Sequence, residues 1–366
     1  WSHEPTLPCS SCAPHKQALS SARNQLVMLL PGLCGPDSDP PVSDYLAPRP
    51  VALDRMLSRS QATASGRFGL EAGLCHWFGM DMSREAPPVA PLTYRFDTGQ
   101  SADGYLLRAD PVHLRADQSV LRLFDAGTFN ILQQEADQLV DTFNSFYAGQ
   151  GLRLQAPCPQ RWYLLLEQPP GLATTPLLSV GGQDIDACLP QGADAADWHR
   201  LLNEVQMLFH EHAVNVQRDQ RGEPAINSLW LWGGGVSPDA LASDVSRIVT
   251  DHELGLGLAQ LSGIPRLDVP TGIDELLPLV ADGLTLVVND TLAAATQYGD
   301  VDRWLEGLRE LEEAWFAPLL GAIKQGKLDR LEIDPCHGTR FRLTRRRLQY
   351  FWKRDRAFEA ECKIRR

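Results

Sequence analysis

Short apolar runs separated by stretches of helical period restrict this chain's fold more than any other feature. Gln25–Leu30 reads as a buried strand ended by Pro31-Gly32, and Leu284–Val288 and Leu328–Ile333 read the same way. Asn227–Trp232 is a further strand, closed by Gly233-Gly234-Gly235. Between these runs the apolar residues recur at helical spacing. Leu53, Met56 and Leu57 share one face, as do Leu70, Leu74, Trp77 and Phe78. Asp194 can cap a helix running to about His212 that buries Trp198, Leu201, Leu202, Val205 and Leu208. Trp304, Leu308, Leu311, Trp315 and Leu319 line a long helix over Val301–Ile323, and Leu343–Trp352 reads as a short final helix. Alternation of this kind predicts an α/β fold with a mostly parallel sheet covered by helices on both faces.

The middle of the chain departs from the alternation. Tyr105–Arg108, Ser119–Phe124 and Trp162–Leu166 read as strands around an amphipathic helix, Leu132–Tyr147, with Ala136, Leu139, Val140 and Phe143 inward. The expected organisation is an N-terminal tail at 1–24, an α/β core from 25–96 and 191–366, and an inserted α+β subdomain at 97–190. Leu26–Leu30 and Leu284–Val288 should then share one sheet.

A net charge of -12 over 366 residues disfavours general nucleic-acid binding. Basic residues concentrate after Arg340, where Arg345–Arg347 and Lys353–Arg356 stand out. The acidic remainder suggests that they pair with the body or with a protein partner. No apolar run reaches the length of a membrane span, and the first 24 residues do not read as a signal peptide, so a cytoplasmic protein is expected. Scattered cysteines in such a chain read as buried thiols. His3, Cys9, Cys12 and His15 have zinc-ligand types without finger spacing, and a disordered tail is the favoured reading.

The candidate site residues lie at strand ends. Asp290 follows a parallel strand, where α/β folds place ligand and catalytic groups; its bland reading is a helix cap. Gly233 and Gly234 could bring backbone N–H groups to a phosphate, although a bare glycine run is a weak motif. Asn227, Trp230 and Trp232 would flank that ligand, since alternation puts both indoles on one face. A pocket is expected near Asn227, Trp232, Gly233 and Asp290, with a phosphorylated or other anionic small molecule as its ligand. His113 is a further ligand-contact candidate. His210 and His212 point apart on a helix and cannot chelate one ion together.

Three segments carry a family resemblance: Asp110-Pro111-Val112-His113-Leu114; Asn203–Leu208 with Asn227–Gly235; and Trp315–Leu320 with Phe351-Trp352-Lys353-Arg354. They resemble the proteobacterial RpfE-type regulatory, cofactor-independent phosphoglycerate-mutase-like proteins, which are distantly similar to the archaeal-type mutases of the alkaline phosphatase superfamily. The resemblance implies an α/β sandwich with an inserted subdomain and a two-metal phosphoryl-transfer centre. Residue by residue, the ligand pattern breaks. The first-strand Asp-Gly place holds Pro31-Gly32, the His place after Asp290 holds Ala294, and Asp334 is followed by Pro335 with His337 two places late. Thr93 lies near the nucleophile region, among neighbours that do not match. The expectation is therefore a catalytically degenerate relative with no metal site and no cofactor, acting as a binding or regulatory protein. The alternative is an active mutase, or another phosphoryl-transfer enzyme, with a relocated site.

Overall fold

Alternate residues of the first apolar run face opposite ways. Leu26, Met28 and Leu30 join one hydrophobic core, and Val27 and Leu29 join another. A strand that is apolar on both sides needs cover on both sides, and the architecture supplies it. The computed structural model describes residues 24–80, 86–117, 120–180, 185–280, 282–350 and 352–362. The tail residues His3, Cys9, Cys12 and His15 lie outside that range.

In chain order the strands are β1 (Asn24–Leu29), β2 (Gln61–Phe68), β3 (Tyr105–Asp117), β4 (Val120–Asp125), β5 (Leu152–Cys158), β6 (Arg161–Leu166), β7 (Leu172–Ala173), β8 (Gln191–Gly192), β9 (Ser228–Gly235), β10 (Val245–Val249), β11 (Arg266–Leu267), β12 (Gly283–Val288), β13 (Arg330–Asp334) and β14 (His337–Thr344). The helices are α1 (Val51–Arg59), α2 (Leu70–Trp77), α3 (Val89–Thr98), α4 (Gln133–Phe146), α5 (Ala195–His210), α6 (Ala213–Gln220), α7 (Glu253–Ser262), α8 (Ile273–Leu276), α9 (Ala293–Gln297), α10 (Val301–Leu311), α11 (Ala317–Gln325), α12 (Arg345–Leu348) and α13 (Phe358–Cys362).

The main sheet has seven strands in the order β11-β10-β12-β1-β13-β14-β2. The first five are parallel, and β14 and β2 each run antiparallel to their neighbour. As expected, the first run and Leu284–Val288 are adjacent: Leu26 pairs with Thr285 on one side and with Leu331 on the other. One face packs on α1, α10 and α11 through Leu53, Trp304, Trp315 and Leu319. The other packs on α2 and α7 through Leu74, Leu254 and Leu258. The sequence thus foretells a mostly parallel sheet with helices on both faces.

The long helix read over Val301–Ile323 is α10 and α11 joined by a π-helical stretch, Glu312–Phe316. Pro318 lies one turn further on and lacks an N–H, so the regular ladder is interrupted there. The irregular stretch has a use. The Glu312 carboxylate accepts from the backbone N–H groups of Ala52 (2.6 Å) and Leu53 (3.2 Å), capping α1, whose own preceding residue Pro50 cannot do so.

One reading is corrected at the C-terminal end. Leu343 belongs to β14, because Phe341 and Leu343 alternate with Arg340 and Arg342 in strand fashion, and only Arg345–Leu348 is helical. The terminal segment docks on α1 through its acidic residues. Its acidic residues do the pairing: Asp355 holds Arg55 and Arg59 at 2.9 Å each, and Glu359 holds Arg49 at 2.9 Å. Arg347 bonds the backbone carbonyls of Arg59 and Ser60 at the end of α1, while Lys353, Arg354 and Arg356 are exposed.

A second sheet carries β4-β3-β6-β5, with β9 on the far side of β3. Its outer face is covered by α4 and α5 through Phe143, Trp162, Trp198 and Phe209. The sequence places the strand Asn227–Trp232 in the α/β core. It is instead antiparallel to β3, with Trp230 opposite Asp110. The second unit therefore runs on to Gly235, past the expected boundary at 190. An isolated apolar run has no mark that distinguishes a central antiparallel strand from a parallel one.

The two units meet through α3 and α7. Gly257 in α7 lies so close to α3 that a Cβ there would stand 2.3 Å from the Leu92 carbonyl oxygen. Alanine normally stabilises a helix interior by about 1 kcal/mol over glycine. Here we expect Gly257→Ala to destabilise by about 2 kcal/mol, because backbone rather than a flexible side chain must yield. Urea unfolding of the variant checks the sign.

Candidate functional site

Parallel strands direct their C-terminal ends to one edge, and in such sheets that edge carries the ligand loops. Four segments converge there: Leu30–Cys34 after β1, Thr250–Glu253 after β10, Asn289–Leu292 after β12 and Asp334–His337 after β13.

The first of these is filled by packing. Gly32 adopts φ +84, and a Cβ would meet the Leu292 carbonyl at 2.6 Å. Its own carbonyl accepts from Thr296 Oγ1 (3.1 Å) and Trp304 Nε1 (2.8 Å). After β12, Asn289 forms a local turn by accepting from Thr291 N, and Asp290 is exposed at the rim. Ala294 is exposed on α9.

After β13 the chain turns sharply. Asp334 is buried and accepts from Cys336 N at 2.8 Å, and Cys336 takes φ +56. Burial pushes the Asp334 carboxyl up to about 6, with the Cys336 N–H, Arg340 and Arg67 acting against the shift. The neighbouring thiols of Cys75 and Cys336 are pushed up by burial as well, that of Cys75 to about 12, so neither is an activated nucleophile.

The loop after β10 was missed by the sequence reading. Its Asp251 is exposed, and His252 caps α7 by accepting from Leu254 N at 3.3 Å. Glu253 opens α7. Burial raises its pKa, but His252 and Arg108 more than offset that and hold it down at about 2. An Asp-His-Glu run directly after a strand was the available signal.

Glu253 lies at the edge of a buried polar cluster. Arg108 Nη1 is 3.6 Å from it, and Arg108 Nη2 is 2.9 Å from Asp110 Oδ1. Asp110 also accepts from Arg108 Nε (3.0 Å), Trp232 Nε1 (2.7 Å) and Trp162 N (3.3 Å). The guanidinium stacks near the Trp232 and Tyr163 rings and donates to Thr93 Oγ1 at 3.3 Å. Burial opposes the Arg108 charge, but Asp110, Tyr163 and Glu253 raise its pKa overall. Burial raises the Asp110 carboxyl as well, against Arg108 and the Trp232 indole; the two guanidinium contacts and the indole N–H favour the charged pair.

These contacts relocate the ligand candidates. Trp230 and Trp232 are buried between the two units, and Trp230 donates to Thr175 O at 2.9 Å. Neither indole is open to a ligand. Gly233 and Gly235 press on α3, where a Cβ would stand 2.8 Å from Val89 Cβ and 2.5 Å from Pro88 Cβ, and one on Gly234 would lie 2.5 Å from the Tyr105 hydroxyl. The glycine run is thus a packing device and leaves no room for a phosphate. Asn227 spends its amide on both backbone groups of Leu114, at 2.7 and 2.8 Å. His113 donates from Nδ1 to Ala225 O at 2.8 Å. Thr93 is fully buried and bonds Val89 O within α3. An open cavity of about 460 Å³ does lie beside Asn227, but the residues around it are Gln206, Met207, His210 and Glu211 of the second unit. Trp232, Gly233 and Asp290 take no part in it. His212 accepts from Val214 N and reaches Thr142, away from His210.

A two-metal centre would need several carboxylate and imidazole groups converging. Among the described residues no three His, Cys, Asp or Glu side chains are placed to hold one ion. Asp334 and the exposed Asp290 stand on separate loops, and Pro31-Gly32 offers no side-chain donor. The residues present do not fit the pair of metals implied by the resemblance.

No family model matches the chain. It is 27% identical over 177 residues to the 2,3-bisphosphoglycerate-independent phosphoglycerate mutase of Methanosarcina acetivorans, covering 46% of this chain and 45% of that one. It is 28% identical over 194 residues to the same-named protein of Methanosarcina mazei, covering 49% and 48%. The chain is a distant relative of the cofactor-independent phosphoglycerate mutases. Its match spans about half the length of these curated relatives. A solved structure, the cofactor-independent phosphoglycerate mutase of Thermoplasma acidophilum, aligns over 94% of this chain and 96% of that one, at 15% identity and a TM-score of 0.41.

Asp334 provides a pH test of the edge in this mutase relative. Its folded pKa lies above the unfolded value of about 3.9, so its protonation favours the folded state. That contribution is full below about pH 4 and is lost as pH rises through 6. Asp334→Asn keeps an oxygen for the Cys336 N–H without the charge. We expect it to gain about 2–3 kcal/mol on the wild type between pH 4.5 and 7.5, read from urea midpoints at the two pH values.

Proposed function

We propose that this chain is a catalytically degenerate relative of the cofactor-independent phosphoglycerate mutases, serving as a binding or regulatory protein. One observation carries the reading: the side chains on the loops where a metal-bearing relative would gather ligands do not converge. Gly32 is closed against Leu292, Asp334 serves the turn at Cys336, and Asp290 faces solvent. Phosphoryl transfer by two metals depends on neutralising charge on both the attacking and the leaving oxygen, and separated carboxylates cannot do this.

The second reading, an active phosphoryl-transfer enzyme with a relocated site, is favoured by the Asp251-His252-Glu253 run after β10. Two of those residues are already engaged, His252 as a helix cap and Glu253 beside Arg108.

The decisive measurement is mutase turnover by the purified chain with manganese or zinc added, together with metal content after dialysis. The degenerate reading expects no conversion of 3-phosphoglycerate above background and no retained metal pair. Turnover that falls when Asp251 or His252 is replaced would instead establish the relocated site.

A further inference from the structure

On the β2–β14 side of the main sheet, the end of α2 meets a cluster of cations and N–H donors. Arg340 on β14 sits 5.7 Å from the centre of the Trp77 ring, with Nη1 3.5 Å from His76 Nε2. Arg67 on β2 completes the group. It pairs with no carboxylate among the described residues, and burial together with repulsion from Arg340 lowers its pKa. Burial, Arg67 and Arg340 push His76 down to about 4, so its ring is neutral at pH 7.

Five buried side-chain atoms of the described residues have no hydrogen-bond partner, and three of them are here: Arg67 Nε, Arg340 Nε and Trp77 Nε1. All three are donors. Buried donors without acceptors are costly, and native proteins seldom gather them. The carboxylates facing the cluster do not satisfy them. Glu332 divides its oxygens between Arg340 (3.2 Å) and Arg342 (3.1 Å), and Asp334 is engaged at Cys336 N. Three guanidinium groups thus face two carboxylates, one of which titrates near pH 6. Arg67, His76, Trp77 and Arg340 are each half-buried, so the cluster reaches the surface.

We propose that this cluster is a binding site for a phosphate group, held by Arg67, Arg340 and the indole N–H of Trp77. A tetrahedral dianion accepts from several directions at once and matches donors spread over two strands and a helix, whereas a carboxylate offers one planar edge. The site contains none of the loops after β1, β10 or β12. It holds whether or not the chain turns over substrate, so a mutase assay and a binding assay can fail separately.

The test is calorimetric titration of the full chain with inorganic phosphate, with glycerol phosphate and with acetate, at matched ionic strength. Phosphate should bind and acetate should not. Arg67→Gln should weaken phosphate binding by about tenfold or more, the usual scale for a charged hydrogen bond. Trp77→Phe keeps the ring, loses the N–H and should weaken it several-fold. Neither change removes a protein–protein bond, so unchanged melting curves verify the fold. Arg309→Gln, on α10 across the sheet, should bind as the wild type does. Tighter binding of glycerol phosphate identifies an esterified ligand, and tighter inorganic phosphate a free one. Phosphate should also raise the His76 pKa in NMR titrations. Absence of binding at on the order of 10 mM phosphate, equal affinity for acetate, or Arg67→Gln and Trp77→Phe variants that bind like the wild type would each overturn the assignment.

Discussion

The buried pair of Arg108 and Asp110 is the constraint on which the rest of the structure depends. Both side chains are almost fully withdrawn from solvent, at 3% and 1% exposure. A pair of this kind gains little over a well-packed apolar contact, but losing one partner strands a charge at a cost of about 3–5 kcal/mol. The pair therefore dictates its surroundings. Asp110 requires the Trp232 N–H, which fixes β9 beside β3. Arg108 requires Thr93 and Glu253, which fixes α3 and the start of α7 against the second sheet. Specificity rather than net stability is the natural return on such a network.

The same network explains why the edge of the main sheet is closed. With α3 and α7 held under the second sheet, the aromatic face of β9 is buried between the units and Gly233 and Gly235 must pass α3 without side chains. The far end of the second unit is tied down too. Asp125 accepts from the Tyr298 hydroxyl at 2.9 Å and from Gln297 at 3.4 Å, at the C-terminal end of α9. Loops that could carry ligands are then drawn into contacts between layers, which leaves Asp290 and Asp251 at the rim. The donor-rich cluster around Arg67 and Arg340 lies on the antiparallel side of the sheet, at β2 and β14.

Most of the architecture was legible in the sequence because it is written in local periodicity. The helical spacing of Trp304, Leu308, Leu311, Trp315 and Leu319 fixed a helix, and the two-faced run around Leu26 fixed a central strand. Three features are hidden from a local reading for one reason, that the deciding partner lies far along the chain. Ser228–Gly235 went to the wrong sheet because its neighbour is β3. Leu343 was read as helical because β13 pairs with it only after folding. The terminal segment docks through Asp355 and Glu359, which meet Arg49, Arg55 and Arg59 some three hundred residues earlier. The surroundings of the site candidates are illegible for a related reason: a strand-end Trp or Gly looks the same whether it faces a ligand or a second sheet.

By itself, then, the sequence determined the α/β class and the positions of the core strands, since both rest on residue type and short-range period. Tertiary structure alone decided where the second unit ends, that Trp230, Trp232 and the glycine run serve packing, and that Arg67, Arg340 and Trp77 come together with unspent donors. Those outcomes depend on which distant side chains share a buried volume, and burial is set by the assembled layers rather than by any local stretch of chain.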